Sequence, residues 1–131
     1  MTTTRKDLRT PLAKVRGLGA ARGGTSHFWR QRVTAVANIP LTLFLVGLIV
    51  AMNGAGHADT RVLLAHPLVA LLLALMIVNI GVHMRLGMQV IIEDYVHAEG
   101  IKVLLLMLNT FFTIAVGAVG IFSILKLAFG G

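Results

Sequence analysis

Ionisable side chains lie inside a long apolar run in the second half of the chain. The run contains His83 and Arg85, and it ends at the acidic and aromatic pair Asp94 and Tyr95. Titratable groups are costly at bilayer depth, so they are rare there and mark candidates for function. Histidine is also a common metal ligand, through a neutral ring nitrogen. We therefore expect this segment to carry most of the chemistry of the protein.

The spacing of these residues places two chemical groups on one face of a helix. The eleven positions from His83 to Asp94 leave about 20° after three full turns, and Gly87 and Val90 fall on the same stripe. The same stretch spans about 16 Å, which puts His83 near the membrane midplane when Asp94 lies at the surface. Gly87 removes bulk beside the imidazole, as a flat macrocycle bound by that histidine would require. The alternative is a structural histidine that hydrogen-bonds a neighbouring helix, with Gly87 serving close packing.

His83 is the one histidine placed to act as an axial ligand at this depth. His27 precedes the first apolar segment and lies near the membrane surface, and the other histidines lie in or beside loops: His57, His66 and His97. Ligation by two histidines would therefore need a second histidine from a partner chain.

Asp94 and Tyr95 allow two interpretations. Tyrosine is enriched at membrane surfaces as an anchor, and acidic residues often mark the point where a helix leaves the bilayer. Alternatively, the phenol donates a hydrogen bond to a carbonyl oxygen while the carboxylate supports it and gives protons a route from water. Reduction of a quinone needs that combination, because two electrons arrive from a redox centre and two protons arrive from the aqueous side.

Aromatic and basic residues also precede the first apolar segment, at residues 26–35. One interpretation is an aromatic belt with arginines whose heads reach back to water. The other is that Arg32, with His27, binds carboxylates or a quinone headgroup at this surface. Arginine suits carboxylates because its guanidinium can form two parallel hydrogen bonds with one of them.

The composition predicts an integral membrane protein. Of 131 residues, 56% are hydrophobic and only 13% are charged, and the mean hydropathy is +0.85. A soluble domain is normally about 25% charged, so this chain has too few polar groups to cover its surface. The absence of cysteine excludes disulfides, thiolate zinc sites and protein-held iron–sulfur clusters.

Three hydrophobic segments are each long enough to span about 30 Å of hydrocarbon. In chain order they are residues 33–52, 67–92 and 103–129. We therefore predict an all-α fold, a bundle of three transmembrane helices at residues 33–129, preceded by a basic tail and interfacial segment at residues 1–32. Pro67 suits the first turn of the second helix. Five polar residues are expected to form hydrogen bonds between the helices: Asn79, Asn109, Thr110, Thr113 and Ser123.

The charge distribution predicts the orientation. The net charge is +7, and eight of the twelve basic residues lie in the first 32 positions: Arg5, Lys6, Arg9, Lys14, Arg16, Arg22, Arg30 and Arg32. Beside an apolar segment, such a tail is explained better by lipid headgroups and the positive-inside rule than by nucleic acid. We predict that the N-terminus faces the cytoplasm or the mitochondrial matrix and that the C-terminus lies on the opposite side. In either orientation, the start of the first helix and the end of the second share one membrane face, so Arg32 would lie at the level of Asp94 and Tyr95.

The pattern at residues 83–95 resembles a known family. Its histidine, the glycine four positions later and the final Asp-Tyr pair, on the second of three helices, are similar to the small hydrophobic D-type anchor subunit of succinate dehydrogenase (complex II). Residues 27–35 match that family too, and the resemblance spans residues 26–129. It implies three partner subunits: a flavoprotein, an iron–sulfur protein and a second membrane anchor that supplies a haem ligand.

The resemblance also implies roles for individual residues. His83 would be one axial ligand, and so the metal ligand, of a haem b shared with the second anchor subunit. Arg32 would meet a haem propionate. Tyr95 would hydrogen-bond the carbonyl of ubiquinone, and Asp94 would support that tyrosine or its proton supply. Arg85 receives no role.

We therefore expect a membrane anchor subunit of a succinate:ubiquinone oxidoreductase, acting in the tricarboxylic acid cycle and in respiratory electron transfer in the bacterial or mitochondrial inner membrane. Succinate oxidation would take place on a flavin in a separate subunit, because this chain has neither a flavin motif nor a cysteine. Two alternatives stand beside this hypothesis. One is a fumarate reductase-type anchor that uses menaquinone, and the other is a small non-redox membrane protein in which His83 is structural.

Overall fold

The structure is a computed structural model that describes residues 10–16 and 22–130, and these residues contain helices and no strand. In chain order the helices are α1 (Pro11–Val15), α2 (Arg22–Met52), α3 (His57–Ala65), α4 (Pro67–Tyr95) and α5 (Glu99–Ala128). Three stretches are long and apolar enough to cross a membrane: Thr25–Met52, Pro67–Tyr95 and Glu99–Ala128. The predicted all-α membrane bundle is confirmed.

The three long helices extend beyond the hydrophobic segments from which they were predicted. Helix α2 begins at Arg22, eleven residues before its predicted segment, and α5 begins at Glu99, four residues before its own. Helix α4 ends at Tyr95, three residues after its predicted segment. Hydropathy marks only the part of a helix that lies in hydrocarbon, whereas the backbone hydrogen bonds continue wherever the side chains allow. As a result, both interfacial segments with candidate site residues are helical.

The connections between the long helices also differ from the prediction. The polar stretch after α2 contains α3, which packs against α4 and α5. Only residues 96–98 separate α4 from α5, whereas the predicted hydrophobic segments end at residue 92 and resume at residue 103. Pro67 occupies the first turn of α4 as predicted, and His66 caps that helix by accepting a hydrogen bond from Leu68 N at 3.3 Å.

Helix α4 is central, because it packs against α2 and against α5. Few side chains are buried in the described part of the chain, and all of them are apolar: Leu48, Ala70, Met76, Leu86 and Ile92. Large apolar side chains cover the outside instead, such as the exposed Phe111 and Phe112. An apolar surface of this extent is typical of contact with lipid or with other membrane subunits.

The basic N-terminal tail is described only in part. Arg5, Lys6 and Arg9 lie outside the described residues, as do the side chains of Lys14 and Arg22. Arg16, Arg30 and Arg32 are exposed. The orientation of the two termini across the membrane therefore stays a prediction.

Candidate functional site

Three residues of the stripe predicted on α4, His83, Gly87 and Val90, face α2 of the same chain. His83 Nδ1 lies 3.0 Å from the hydroxyl oxygen of Thr34. One turn later, a Cβ added to Gly87 would lie 3.6 Å from the side-chain nitrogen of Gln31, an ordinary van der Waals contact. Packing against α2 therefore does not by itself require glycine at position 87. Thr34 and Gln31 lie three positions apart and so share one face of α2.

Asn79 continues this interface one turn away from His83. Its side-chain nitrogen donates to Thr34 O at 2.9 Å and to Asn38 Oδ1 at 2.6 Å, which confirms the predicted bonding between helices. Such bonds contribute only about 0.6 kcal/mol each on average in membranes, so their main effect is to fix the register of α2 on α4. Thr113 and Ser123 behave differently from the prediction, since each donates to a carbonyl of its own helix.

Thr34 is the direct partner of His83, and no sequence pattern had assigned it a role. Its hydroxyl oxygen also lies 2.7 Å from Arg30 O and 3.1 Å from Gln31 O in its own helix. Threonine in a membrane helix commonly bonds back to its own backbone in this way. The contact with His83 depends on which faces of α2 and α4 meet, and one helix pattern does not reveal that.

His83 is half-buried, and within the described part of the chain it hydrogen-bonds only through Nδ1. The other nitrogen, Nε2, is left to bind a ligand. Among the described residues, no group of three or more His, Asp or Glu side chains could hold a metal ion. A metal bound by His83 would therefore not find three such side chains in this part of the chain.

A groove of about 380 Å³ lies beside the same stripe, toward the start of α2. It is lined by His27, Phe28, Gln31, Arg32, Ala35 and Val90. The Nε2 atom of His27 and the Oε1 atom of Gln31 are buried and have no hydrogen-bond partner within the described residues. Buried polar side-chain atoms are usually paired, so these two atoms are exceptions within the described part of the chain. His27 and Arg32 both line this groove, and the binding of a carboxylate or a quinone headgroup by them stays a prediction.

Arg32 lines this groove, and the last turn of α4 carries Asp94 and Tyr95. The guanidinium carbon of Arg32 stacks 4.3 Å above the ring of Phe28. Asp94 and Tyr95 are exposed, Tyr95 to 78%. Among the residues that the structure describes, no ion pair joins Arg32 to Asp94.

Arg85 lies on the other side of α4. Two residues correspond to about 200° around a helix, and Arg85 accordingly meets α5. Its Nε donates to the hydroxyl of Thr110 at 3.2 Å, and Asn109 Nδ2 donates to Arg85 O at 3.0 Å. Thr110 and Asn109 are thus confirmed as residues that bond between helices. Arg85 therefore hydrogen-bonds α4 to α5, whereas His83 hydrogen-bonds α4 to α2.

The comparisons with known proteins identify relatives of one family. A family model described as succinate dehydrogenase/fumarate reductase transmembrane subunit matches residues 6–117. The chain is 28% identical over 111 residues to the succinate dehydrogenase hydrophobic membrane anchor subunit of Rickettsia bellii, covering 82% of this chain and 86% of that protein. It is also 28% identical over 121 residues to the subunit of the same name from Paracoccus denitrificans, covering 92% and 93%. No solved structure gives a significant match.

Proposed function

This chain belongs to the succinate dehydrogenase/fumarate reductase transmembrane subunit family, and on that premise we propose that it anchors a succinate:ubiquinone oxidoreductase, helping to ligate haem b and to form the ubiquinone reduction site. It is a multi-pass integral membrane protein with three apolar helices. Relatives named as succinate dehydrogenase anchor subunits favour the succinate dehydrogenase side of the family. Family membership also argues against an unrelated non-redox membrane protein.

The observation that best supports haem ligation is the arrangement of His83. A histidine that binds a metal through one ring nitrogen almost always donates its other N–H to a protein group. His83 has such a group in Thr34, 3.0 Å from Nδ1, while Nε2 has no partner in the described part of the chain. A haem b, when bound, supplies one-electron transfer. We propose His83 as one of its axial ligands and a histidine of the second anchor subunit as the other.

The support for a quinone site is the cluster of polar groups at the start of α2 and the end of α4. In this proposal Tyr95 donates a hydrogen bond to the quinone carbonyl, and Asp94 supports the phenol and its supply of protons. Arg32 lines the groove beside His27 Nε2 and Gln31 Oε1, two buried atoms without a hydrogen-bond partner among the described residues, and in this proposal Arg32 meets a propionate carboxylate of the haem. Because Tyr95 is largely exposed, the rest of this site is built by partner subunits.

The proposed partners follow from the same assignment. They are a flavoprotein that oxidises succinate, an iron–sulfur protein that carries electrons to the membrane, and the second anchor. The site would face the cytoplasm of a bacterium, or the mitochondrial matrix, at the inner membrane. Purification of the complex through a tag on this chain should recover all three proteins.

The family model also covers fumarate reductase subunits, so the quinone extracted with the complex decides between ubiquinone and the menaquinone alternative.

An absorbance spectrum tests the haem assignment directly. In the purified complex, we expect a reduced haem b band that His83→Ala abolishes, because the chain then loses its only proposed axial ligand. His57→Ala is the matched control, since His57 is exposed at the start of α3 and should leave the band unchanged. An intact haem b band in the His83→Ala complex would rule out His83 as the ligand.

A further inference from the structure

We infer that Thr34 positions His83 for haem ligation by accepting a hydrogen bond from its Nδ1–H, which fixes the ring so that Nε2 is the ligating nitrogen. This inference rests on the haem ligation proposed above and adds to it a residue on a different helix. Thr34 is a positioning residue, because it contacts the proposed ligand and acts only through it.

The direction of the hydrogen bond follows from the single proton of the Thr34 hydroxyl. The shortest contact of that oxygen, 2.7 Å to Arg30 O, has the length of an O–H···O hydrogen bond. If the proton lies there, the 3.0 Å contact with His83 is a hydrogen bond only when Nδ1 carries a proton. The reverse assignment would leave the oxygens of Thr34 and Arg30 at 2.7 Å with no proton between them.

The consequence for His83 is a defined tautomer. A neutral imidazole carries one ring proton, so a proton on Nδ1 leaves the lone pair on Nε2. An acceptor opposite a ligating histidine also orients the ring and raises the basicity of the ligating nitrogen. Because the Thr34 hydroxyl donates to Arg30 O at the same time, the two hydrogen bonds polarise and strengthen one another.

Thr34 is itself held in place by the neighbouring turn of α4. Asn79, four positions before His83, donates to Thr34 O at 2.9 Å and to Asn38 Oδ1 at 2.6 Å. Asn38 in turn lies four positions after Thr34 on α2. Two successive turns of α4 are therefore bonded to two successive turns of α2, and this fixes the distance between the Thr34 hydroxyl and the imidazole.

Three substitutions separate a positioning role from a purely structural one. Thr34→Val removes the hydroxyl and keeps the shape of the side chain, whereas Thr34→Ser keeps the hydroxyl. Thr113→Val is the matched control, because the Thr113 hydroxyl donates to Asn109 O at 2.9 Å and hydrogen-bonds no histidine among the described residues. All three are made in the complete complex, purified with its partner subunits.

The readouts are haem content per flavin, the midpoint potential of the haem and the electron paramagnetic resonance spectrum of its oxidised form. For Thr34→Val we expect a higher potential, because His83 donates less electron density, and altered g values. We also expect haem affinity to fall by about 10-fold or more, as is usual for partners of metal-bound histidines. Thr34→Ser and Thr113→Val should match the wild type. An unchanged potential and spectrum in Thr34→Val would overturn the inference, and so would a Thr34→Ser complex as altered as the valine variant.

Two further outcomes are distinguishable from these. If the Thr34→Val complex does not accumulate, Thr34→Ala gives the same comparison with a smaller side chain. Failure of both variants to accumulate, with normal accumulation of Thr34→Ser, would show a folding role and contradict the inference. Failure of the proposed haem ligation has its own signature, which is a His83→Ala complex that retains its haem b band.

Discussion

At the scale of single residues, Tyr95 is the candidate site residue whose substitution should affect the fold least. It is 78% exposed on the last turn of α4 and makes no hydrogen bond within the described residues. Tyr95→Phe should therefore change the stability of the complex by less than about 0.5 kcal/mol. It also removes the phenol that we propose donates to the quinone.

We expect quinone reduction by the Tyr95→Phe complex to fall by about 100-fold, the lower range for loss of a proton-transferring group. Succinate oxidation with an artificial electron acceptor should persist, because it takes place in another subunit. Both activities are measured on the same purified complex. Glu93→Gln is a useful control, since Glu93 is an exposed neighbour whose only hydrogen bond in the described part is with Gln89 of the same helix. Unaltered quinone reduction in Tyr95→Phe would remove this tyrosine from the site.

The residues of the candidate site were predictable to different degrees. The period of the α-helix placed His83 and Gly87 on one stripe, and both face α2 as a stripe should. Their partners Thr34 and Gln31 were not predictable, because periodicity within one helix does not show which face of a second helix it meets. Arg85 illustrates the same limit, since its contact with Thr110 depends on the packing of α4 against α5.

At the scale of helices, the pairing of α2 with α4 depends on Asn79, which makes two hydrogen bonds to α2. Asn79→Leu keeps the size of the side chain and removes both bonds. We expect a loss of about 1 kcal/mol, at roughly 0.6 kcal/mol for each membrane hydrogen bond, and hence a lower temperature for dissociation of the purified complex. Ser123→Ala, which removes a bond within α5 only, should have a smaller effect. Equal stability of the two variants would contradict this account of the α2–α4 interface.

The helices themselves were predictable, because an apolar run of this length in so hydrophobic a chain can adopt few structures other than a membrane-spanning helix. Helix α3 was missed because nine residues with several polar side chains carry no clear hydrophobic signal. Short helices are marginal in isolation, and α3 depends on its packing against α4 and α5. The extended start of α2 was missed for a related reason, since residues 22–32 are polar enough to resemble a tail.

At the scale of the whole molecule, the orientation in the membrane can be tested with the chain's lack of cysteine. Ala55 and Ala98 are both exposed in short connections and, in the predicted topology, lie on opposite sides of the membrane. In bacterial cells with a permeable outer membrane, Ala55→Cys should react with a membrane-impermeant maleimide. Ala98→Cys should react only after the inner membrane is opened. The reverse pattern of labelling would show that the N-terminus lies outside.

The attachments of α4 to both of its neighbours have a mechanical consequence. His83 is bonded to α2 and Arg85 to α5, so α4 cannot turn about its own axis without breaking one bond or the other. At the radius of a helix with its side chains, a turn of 10° moves a side chain by about 1 Å. The rotation of α4 about its axis thus determines where the imidazole points, and a change at the contact of Arg85 with α5, on the opposite face of α4, would be transmitted to it as torque.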